Sequence, residues 1–150
     1  MTTTIQSQAE VQIRQLLADR EGAMRERDAE LLAGHFGPDA VRFDLAPPLQ
    51  TSGPELQDPA GLRAWFAGLE GGIDYEITDL NVTAGEDVAY CHSLNRLGET
   101  SDGTPDLWVM WFRATICLRK VDGTWQITHE HTSTPFYMDG SFRAATDLEP

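Results

Sequence analysis

The hydrophobic period of this chain changes at Gly71-Gly72. Before that point apolar residues recur near helical spacing, and after it they alternate with a period of two. Four long alternating segments follow one another, divided by short turns of the Asp-Gly kind: Ile73–Thr83, Asp87–Leu97, Leu107–Val121 and Thr124–Thr134. Helices followed by consecutive strands predict an α+β fold, in which a curved antiparallel sheet packs against N-terminal helices.

The first half of the chain predicts three helices and one short strand. Asp28 is a capping residue between the first two helices, and Asp58-Pro59 is typical of the start of the third. The loop before the third helix begins at Pro47-Pro48, because consecutive prolines cannot donate hydrogen bonds to a sheet. The predicted elements are helices over Ile5–Arg27, Ala29–Phe36 and Ala60–Leu69, and a strand over Ala40–Leu45.

Composition limits the function classes that fit this chain. A length of 150 residues with 41% hydrophobic residues predicts one domain over residues 1–150, with a core over 5–135 and a C-terminal arm over 136–150. The net charge of −13 argues against nucleic acid and anionic membranes as partners. No apolar window is long enough to cross a bilayer, and Met1–Glu10 does not have the pattern of a signal peptide, so the expected location is cytoplasmic. Cys91 and Cys117 lie in apolar strand segments, and we expect buried free thiols.

The last strand carries two of the four histidines. If its side chains alternate regularly, one face holds Trp125, Ile127, His129, His131 and Ser133. A stripe that begins apolar and ends ionisable predicts packing at one end and a pocket lining at the other. Glu130 would then lie on the opposite face, as a surface or dimer-face residue, unless a bulge reverses the assignment.

Three segments together resemble the nuclear transport factor 2-like superfamily, in its ketosteroid isomerase and SnoaL-like branch. They are Asp28-Ala29-Glu30-Leu31-Leu32, Asp39-Ala40-Val41-Arg42-Phe43-Asp44 and Asp122-Gly123-Thr124-Trp125-Gln126-Ile127-Thr128-His129. The resemblance implies a cone of curved sheet and helices with an apolar internal pocket, usually in a homodimer that pairs the outer sheet faces. It does not fix the reaction, because this scaffold serves isomerases, cyclases, dehydratases, transport adaptors and assembly domains.

Asp44 is the candidate general base that this resemblance implies. In ketosteroid isomerase-like members a carboxylate follows the first strand at the pocket mouth, just before a proline-containing loop, and Asp44 has that place before Pro47-Pro48. Apolar surroundings would make such a carboxylate a better proton acceptor. The alternative is that Asp44 braces its loop through backbone hydrogen bonds.

The hydrogen-bond donors of the isomerase pattern are missing from this chain. That pattern has a tyrosine in the first helix and a protonated aspartate on a central strand, whereas Leu107–Val121 contains no Asp or Glu. Tyr90 and His92, which share a strand face, could replace them, with Trp108 or Trp111 offering an indole N–H.

His129 and His131 have three interpretations. They could transfer protons near neutral pH, or bind zinc together with His92, or be hydrogen-bonded neighbours at the end of the sheet. No motif beyond the His-x-His pair supports a metal, so we expect none. Ligand positioning is the role that we favour for both rings.

The remaining candidates are pocket-wall residues and one arginine. Phe36 and Trp65 are expected in the core or pocket wall, and Arg113 is expected either at the rim or against an anionic group inside. Leu107–Phe112 is apolar on both faces, which predicts helices or ligand on one side and a partner copy on the other.

The predicted function is binding of a small hydrophobic molecule. If the chain is an enzyme, cofactor-independent isomerisation, cyclisation or dehydration by proton transfer is expected. The alternative is a non-catalytic ligand-binding or dimeric assembly domain of the same fold.

Overall fold

The fold consists of N-terminal helices and a six-stranded sheet. It was derived as a computed structural model that describes residues 2–101 and 104–150. In chain order the elements are α1 (Thr2–Glu26), α2 (Ala29–Gly34), β1 (Phe36–Phe43), β2 (Thr51–Ser52), α3 (Pro54–Gln57), α4 (Ala60–Ala67), β3 (Gly72–Ala84), β4 (Val88–Ser101), β5 (Thr104–Val121) and β6 (Thr124–Ser133). The predicted α+β class, with a curved sheet and N-terminal helices, is confirmed.

The four long strands form the predicted antiparallel meander. The strand order in the sheet is β2-β1-β6-β5-β4-β3, and β1 joins the meander by pairing with β6 in parallel. The predicted turn at Asp102-Gly103 lies outside the described residues.

The segment between α2 and α4 differs from the sequence-based prediction. The strand β1 begins at Phe36, which was assigned to the preceding helix, because Phe36 pairs with Ile127 before the register shifts and resumes at Val41. The predicted loop also contains β2 and α3. Pro54 is the first residue of α3, and Leu56 is its buried residue. A single apolar side chain therefore packs α3 against the core.

The core lies between α1 and the concave face of the sheet. We call concave the face that carries the buried side chains of β5, and convex the opposite face. The buried positions of α1 recur at helical spacing and cover the concave face: Ala9, Ile13, Leu16, Leu17, Arg20 and Ala23. Of the two free thiols, Cys91 is buried in this core, whereas Cys117 is only half-buried.

No helix in the described part of the chain is long and apolar enough to cross a membrane.

The end of α4 is held by Arg27, which links α1 to α2. Its guanidinium donates to the carbonyls of Phe66 at 2.8 Å and Leu69 at 3.2 Å, and also to that of Gly71. A side chain at position 71 would collide with the Thr100 carbonyl, so the chain can pass this point only with glycine. Because Phe66 is a core residue, Arg27 fixes the height of α4 above the sheet.

Replacing Arg27 with methionine should lower the free energy of unfolding by about 1–3 kcal/mol, because three carbonyls lose their donor. Urea unfolding followed by circular dichroism measures the change. Arg63→Met is the matched control, since Arg63 makes an exposed ion pair with Glu30, and it should cost less than about 0.5 kcal/mol. Equal losses of unfolding free energy in the two variants would contradict this role of Arg27 at the end of α4.

Candidate functional site

A β-bulge in β6 decides which side chains enter the interior. Ile127 pairs with Leu118 and His129 pairs with Cys117, so Thr128 is an extra residue on β6. The predicted single face from Trp125 to Ser133 is therefore wrong, because the bulge moves every later side chain to the other side. Trp125 and Ile127 are buried in the core, as expected.

The two histidines lie on the convex face. His129 and His131 pair with Cys117 and Thr115, whose side chains point away from α1. His129 donates from Nδ1 to the Val41 carbonyl at 2.7 Å, and both imidazoles contact the Phe43 ring edge to face. The hydrogen-bonded arrangement at the end of the sheet is thus present for His129.

Other predicted ligand contacts share this convex face. Tyr90, His92, Trp111 and Arg113 occupy it on β4 and β5, and Arg113 donates from Nε to Ser133 Oγ at 3.2 Å. Their predicted common face is confirmed for Tyr90 and His92, but it is not the face that α1 covers. These residues therefore do not line the concave interior.

The bulge turns Glu130 to the concave face. Glu130 pairs with Ile116, a buried residue of that face, and its side chain is only 14% exposed. The expectation of a surface or dimer-face glutamate is wrong for this reason. No described residue donates a hydrogen bond to its carboxylate; its one ion pair is with Arg20 Nη2, at 3.9 Å..

Glu130 belongs to a group of polar side chains that we call the polar belt: Arg20, Tyr75, Ser93, Asn95 and Glu130. The belt separates two apolar clusters of the core. One cluster contains Leu17, Cys91 and Ile127, and the other contains Ala23, Leu97 and Phe112. Polar groups in the middle of a core need hydrogen-bond partners. The hydrogen bonds of the belt therefore show which of its donors and acceptors have no partner.

A chain of hydrogen bonds in the belt ends on the Tyr75 hydroxyl. Ser93 Oγ donates to Asn95 Oδ1 at 2.7 Å, and Asn95 Nδ2 donates to the Tyr75 oxygen at 3.0 Å. The phenol proton has no acceptor within the described part of the chain. Burial, with the charge of Glu130 as the next cause, raises the pKa of Tyr75 to about 12, so the phenol stays protonated near neutral pH.

Arg20 is fixed from the helical side of the belt. Its Nη1 donates to the Leu32 carbonyl at 2.9 Å and to His35 Nδ1 at 3.1 Å. Since arginine has no acceptor, His35 Nδ1 must be the unprotonated ring nitrogen. Burial first, and then the Arg20 charge, lower the pKa of His35 to about 4, against an opposing effect of Asp19.

Arg42 lies on the concave face of β1, opposite Glu130 in register. Its Cζ is 5.9 Å from the centroid of the Phe36 ring, and the Cζ of Arg20 is 5.3 Å from the same centroid. Phe36 is a buried core residue, which is one of the two places predicted for it. The Arg42 Nη2 is 3.3 Å from Asp44 Oδ2, while its Nε is buried without an acceptor among the described residues.

Asp44 lies where the interior meets solvent. Its Oδ1 accepts from the Leu45 N–H at 2.7 Å and from Thr132 Oγ1 at 3.2 Å. The predicted loop-bracing contact is therefore present. Asp44 thus accepts two hydrogen bonds, whereas the one described contact of the Glu130 carboxylate is its ion pair with Arg20.

Asp44 borders an open groove of about 910 Å³ at this end of the sheet. The groove is formed by the loop 44–50, the end of β6, Met110 and Ala144. His131 also lines it, so the structure brings Asp44 and His131, though not His129, to one surface. The lining comes from both faces of the sheet, because Met110 and Thr132 belong to the concave face and His131 and Ser133 to the convex face.

The two remaining predicted contacts lie elsewhere. Trp108 donates from Nε1 to Glu99 at 3.0 Å near the end of β5, and Trp65 is partly exposed on α4 with its ring 5.3 Å from that of Phe66. Neither is among the groove residues. In the described residues no three His, Cys, Asp or Glu side chains are grouped as they would be around a metal ion.

Comparison with protein families gives a match over residues 13–137, to the SnoaL-like domain. This chain belongs to the SnoaL-like domain family. A solved structure of an NTF2-like protein of unknown function from Pseudomonas putida KT2440 is 33% identical to this SnoaL-like domain, over 96% of this chain and 98% of that one, with a TM-score of 0.85. A search of curated proteins gave no match.

Two further structures share the fold at lower identity. A provisionally named scytalone dehydratase from Novosphingobium aromaticivorans is 20% identical over 91% of each chain, with a TM-score of 0.71. A provisionally named dehydratase of the NTF2-like family from Streptomyces avermitilis is 19% identical over 87% of this chain and 98% of that one, also with a TM-score of 0.71.

The low pKa of His35 predicts a pH-dependent stability. Between pH 6.5 and about 4, His35 is protonated in the unfolded chain but neutral in the folded chain. The free energy of unfolding therefore falls as the pH falls through this window. Because the ring is only half-buried, the His35 contribution should be roughly 1–2 kcal/mol.

The variant His35→Gln keeps an acceptor for Arg20 but does not titrate. The difference in unfolding free energy between this variant and the wild type should be constant above pH 6.5 and change below it. Urea titrations at a series of pH values measure it, with His92→Gln on the exposed convex face as the control. Parallel curves for wild type and His35→Gln would contradict the assignment.

Proposed function

We propose that this SnoaL-like domain binds a small organic molecule with a carbonyl group at the concave face and catalyses proton transfer next to that carbonyl. The reaction class would be isomerisation, cyclisation or dehydration without a cofactor. The observation that carries the proposal is the polar belt, in which the Glu130 carboxylate and the Tyr75 phenol face the same interior. No described residue donates a hydrogen bond to the carboxylate or accepts one from the phenol. The dehydratase names of two structural neighbours agree with this class.

Glu130 is the proposed proton acceptor. A general base needs free lone pairs within reach of the substrate, and no hydrogen bond from a described residue occupies those of Glu130. Its 14% exposure leaves the carboxylate reachable from solvent. Arg20 lies beside it, with Nη2 3.9 Å from the carboxylate.

Tyr75 is the proposed hydrogen-bond donor to the carbonyl oxygen. As Glu130 removes a proton from the adjacent carbon, negative charge develops on that oxygen, and a fixed donor stabilises it. Asn95 already donates to the phenol oxygen at 3.0 Å, which leaves the phenol proton for the ligand. Glu130 would then return its proton to another carbon of the substrate.

Asp44 is proposed as the residue that shapes the mouth. Its contacts with Arg42, Leu45 and Thr132 hold the groove loop to the end of β6. It remains the alternative base for a substrate that stays in the groove, with His131 as its neighbour there. Substitution of each carboxylate separates these assignments.

Exchange of substrate protons in D₂O, followed by ¹H NMR with cyclic enones and their β,γ-unsaturated isomers, tests the proposal. Wild type should accelerate exchange next to the carbonyl, and Glu130→Gln should slow it by about 10²-fold or more. Tyr75→Phe should also slow exchange, while Asp44→Asn should keep most of the rate. Glu10→Gln, on the exposed side of α1, is the control.

A loss in Asp44→Asn with full activity in Glu130→Gln would transfer the role of base to Asp44. Absence of exchange with every probe, together with binding seen by tryptophan fluorescence, would favour a non-catalytic ligand-binding domain.

We also propose that the convex face pairs with a second copy of the chain. Exposed apolar and aromatic residues support this, since Val88 is 56% and Tyr90 51% exposed there, on the same face as Trp111 and the histidines. Such residues are enriched in protein interfaces. In a homodimer the predicted contacts of Tyr90, His92 and Trp111 would be with the other copy.

Sedimentation velocity should give a mass twice that of the chain for wild type. Tyr90→Glu should shift the species to a monomer, because it buries a charge in the interface. Val11→Glu is the matched control, since Val11 is 65% exposed on α1, away from the sheet, and it should leave the mass unchanged. A wild-type monomer, or a monomer in both variants, would contradict pairing through the convex face.

A further inference from the structure

Arg42 has a hydrogen-bonding capacity that the chain itself does not use. Its Nε is buried without an acceptor among the described residues, and it is the one such side-chain atom found there. A buried donor left unpaired is unfavourable. The chain has only 11 Lys and Arg against 24 Asp and Glu, and yet two arginines, Arg20 and Arg42, contact the Phe36 ring, with Cζ 5.3 and 5.9 Å from its centroid.

Asp44 satisfies Arg42 incompletely. One carboxylate oxygen lies 3.3 Å from Nη2, and the other is occupied by Leu45 N–H and Thr132 Oγ1. Asp44 is only two residues from Arg42 on the same strand end, so its backbone limits how its carboxylate can approach. The edge formed by Nε and Nη2 can donate hydrogen bonds to both oxygens of one carboxylate, and Asp44 supplies only one oxygen there.

We propose that the ligand of this domain carries a carboxylate, which binds the Nε–Nη2 edge of Arg42 and displaces Asp44 from it. This inference rests on the proposed function and names the substrate class: an unsaturated carboxylic acid whose apolar part contacts Met110 and the apolar loop residues of the groove. Asp44 occupies the position of the ligand carboxylate and competes with it.

Competition between Asp44 and the ligand carboxylate determines the direction in which an Asp44 substitution should change the ligand affinity. Removal of the Asp44 charge should strengthen the binding of a carboxylate. If Asp44 had only a catalytic or structural role, the same substitution would weaken this binding or leave it unchanged. The net charge of −13 disfavours unspecific anion binding. A carboxylate that does bind therefore reports a local cationic site.

Calorimetric titration with trans-cinnamate and its neutral isostere cinnamamide tests the inference. Wild type should bind cinnamate roughly tenfold to a hundredfold more tightly than cinnamamide, as expected for hydrogen bonds between charged groups. Arg42→Met should abolish this preference and leave cinnamamide binding within about twofold, since only the neutral contacts remain. Asp44→Asn should strengthen cinnamate binding and leave cinnamamide binding unchanged.

Arg42→Lys protects the test against a folding defect. It keeps the charge and the apolar stem but lacks the planar edge, so it should lose most of the preference while its circular dichroism and thermal transition match wild type. Equal binding of the two probes to wild type, or an unchanged preference in both Arg42 variants, would overturn the inference. Weaker cinnamate binding in Asp44→Asn would also overturn it.

The outcomes distinguish this inference from the proposed function. If cinnamamide binds and cyclic enones still exchange protons but cinnamate has no advantage, the carboxylate site is wrong and the proton-transfer site stands. If cinnamate binds with the expected preference but no probe exchanges protons, the carboxylate site stands on a non-catalytic domain. If neither cinnamate nor cinnamamide binds, the carboxylate site is wrong, and the proton-transfer site fails with it only if the cyclic enones also show no exchange.

Discussion

The extra residue Thr128 is the constraint on which the interior of this domain depends. Side chains on a strand alternate with a period of two, so one inserted residue exchanges the two faces for the rest of the strand. Before the bulge β6 contributes Trp125 and Ile127 to the core, and after it β6 contributes Glu130 and Thr132. The same step moves both histidines to the convex face and places a carboxylate among buried groups.

The sequence was sufficient for the fold because its strongest signals are repeated many times. The helical spacing of α1 and the alternation of β3 to β6 each extend over many residues, so errors at single positions do not matter. The segment between α2 and α4 was harder, because α3 depends on one buried side chain, Leu56, and β2 on two residues paired with β1. Such short elements are stabilised by tertiary contacts, which no local pattern contains.

The site was predictable only in part for the same reason. The resemblance to ketosteroid isomerase-like members pointed to Asp44, which borders the groove, and its aromatic character pointed to Phe36, which is buried in the core. Glu130 was assigned to the wrong face because a bulge leaves no local mark in the sequence. Ser93 and Asn95 were missed although they interrupt an apolar alternation between Cys91 and Leu97, and that interruption is the signal that could have revealed the belt.

The energetics of the belt favour function over stability. Two apolar clusters enclose it and supply the burial that holds α1 on the sheet. A core built for stability alone would continue these clusters through positions 93, 95 and 130, since unpaired polar groups inside a protein are costly. Here the hydrogen bonds of Ser93 and Asn95 orient Tyr75. Glu130 has an ion pair with Arg20 but no hydrogen bond from a described residue, and the Nε of Arg42 has no acceptor among the described residues. The belt therefore combines hydrogen-bonded groups with a carboxylate that receives no hydrogen bond from the described residues, and the proposed proton transfer depends on this combination.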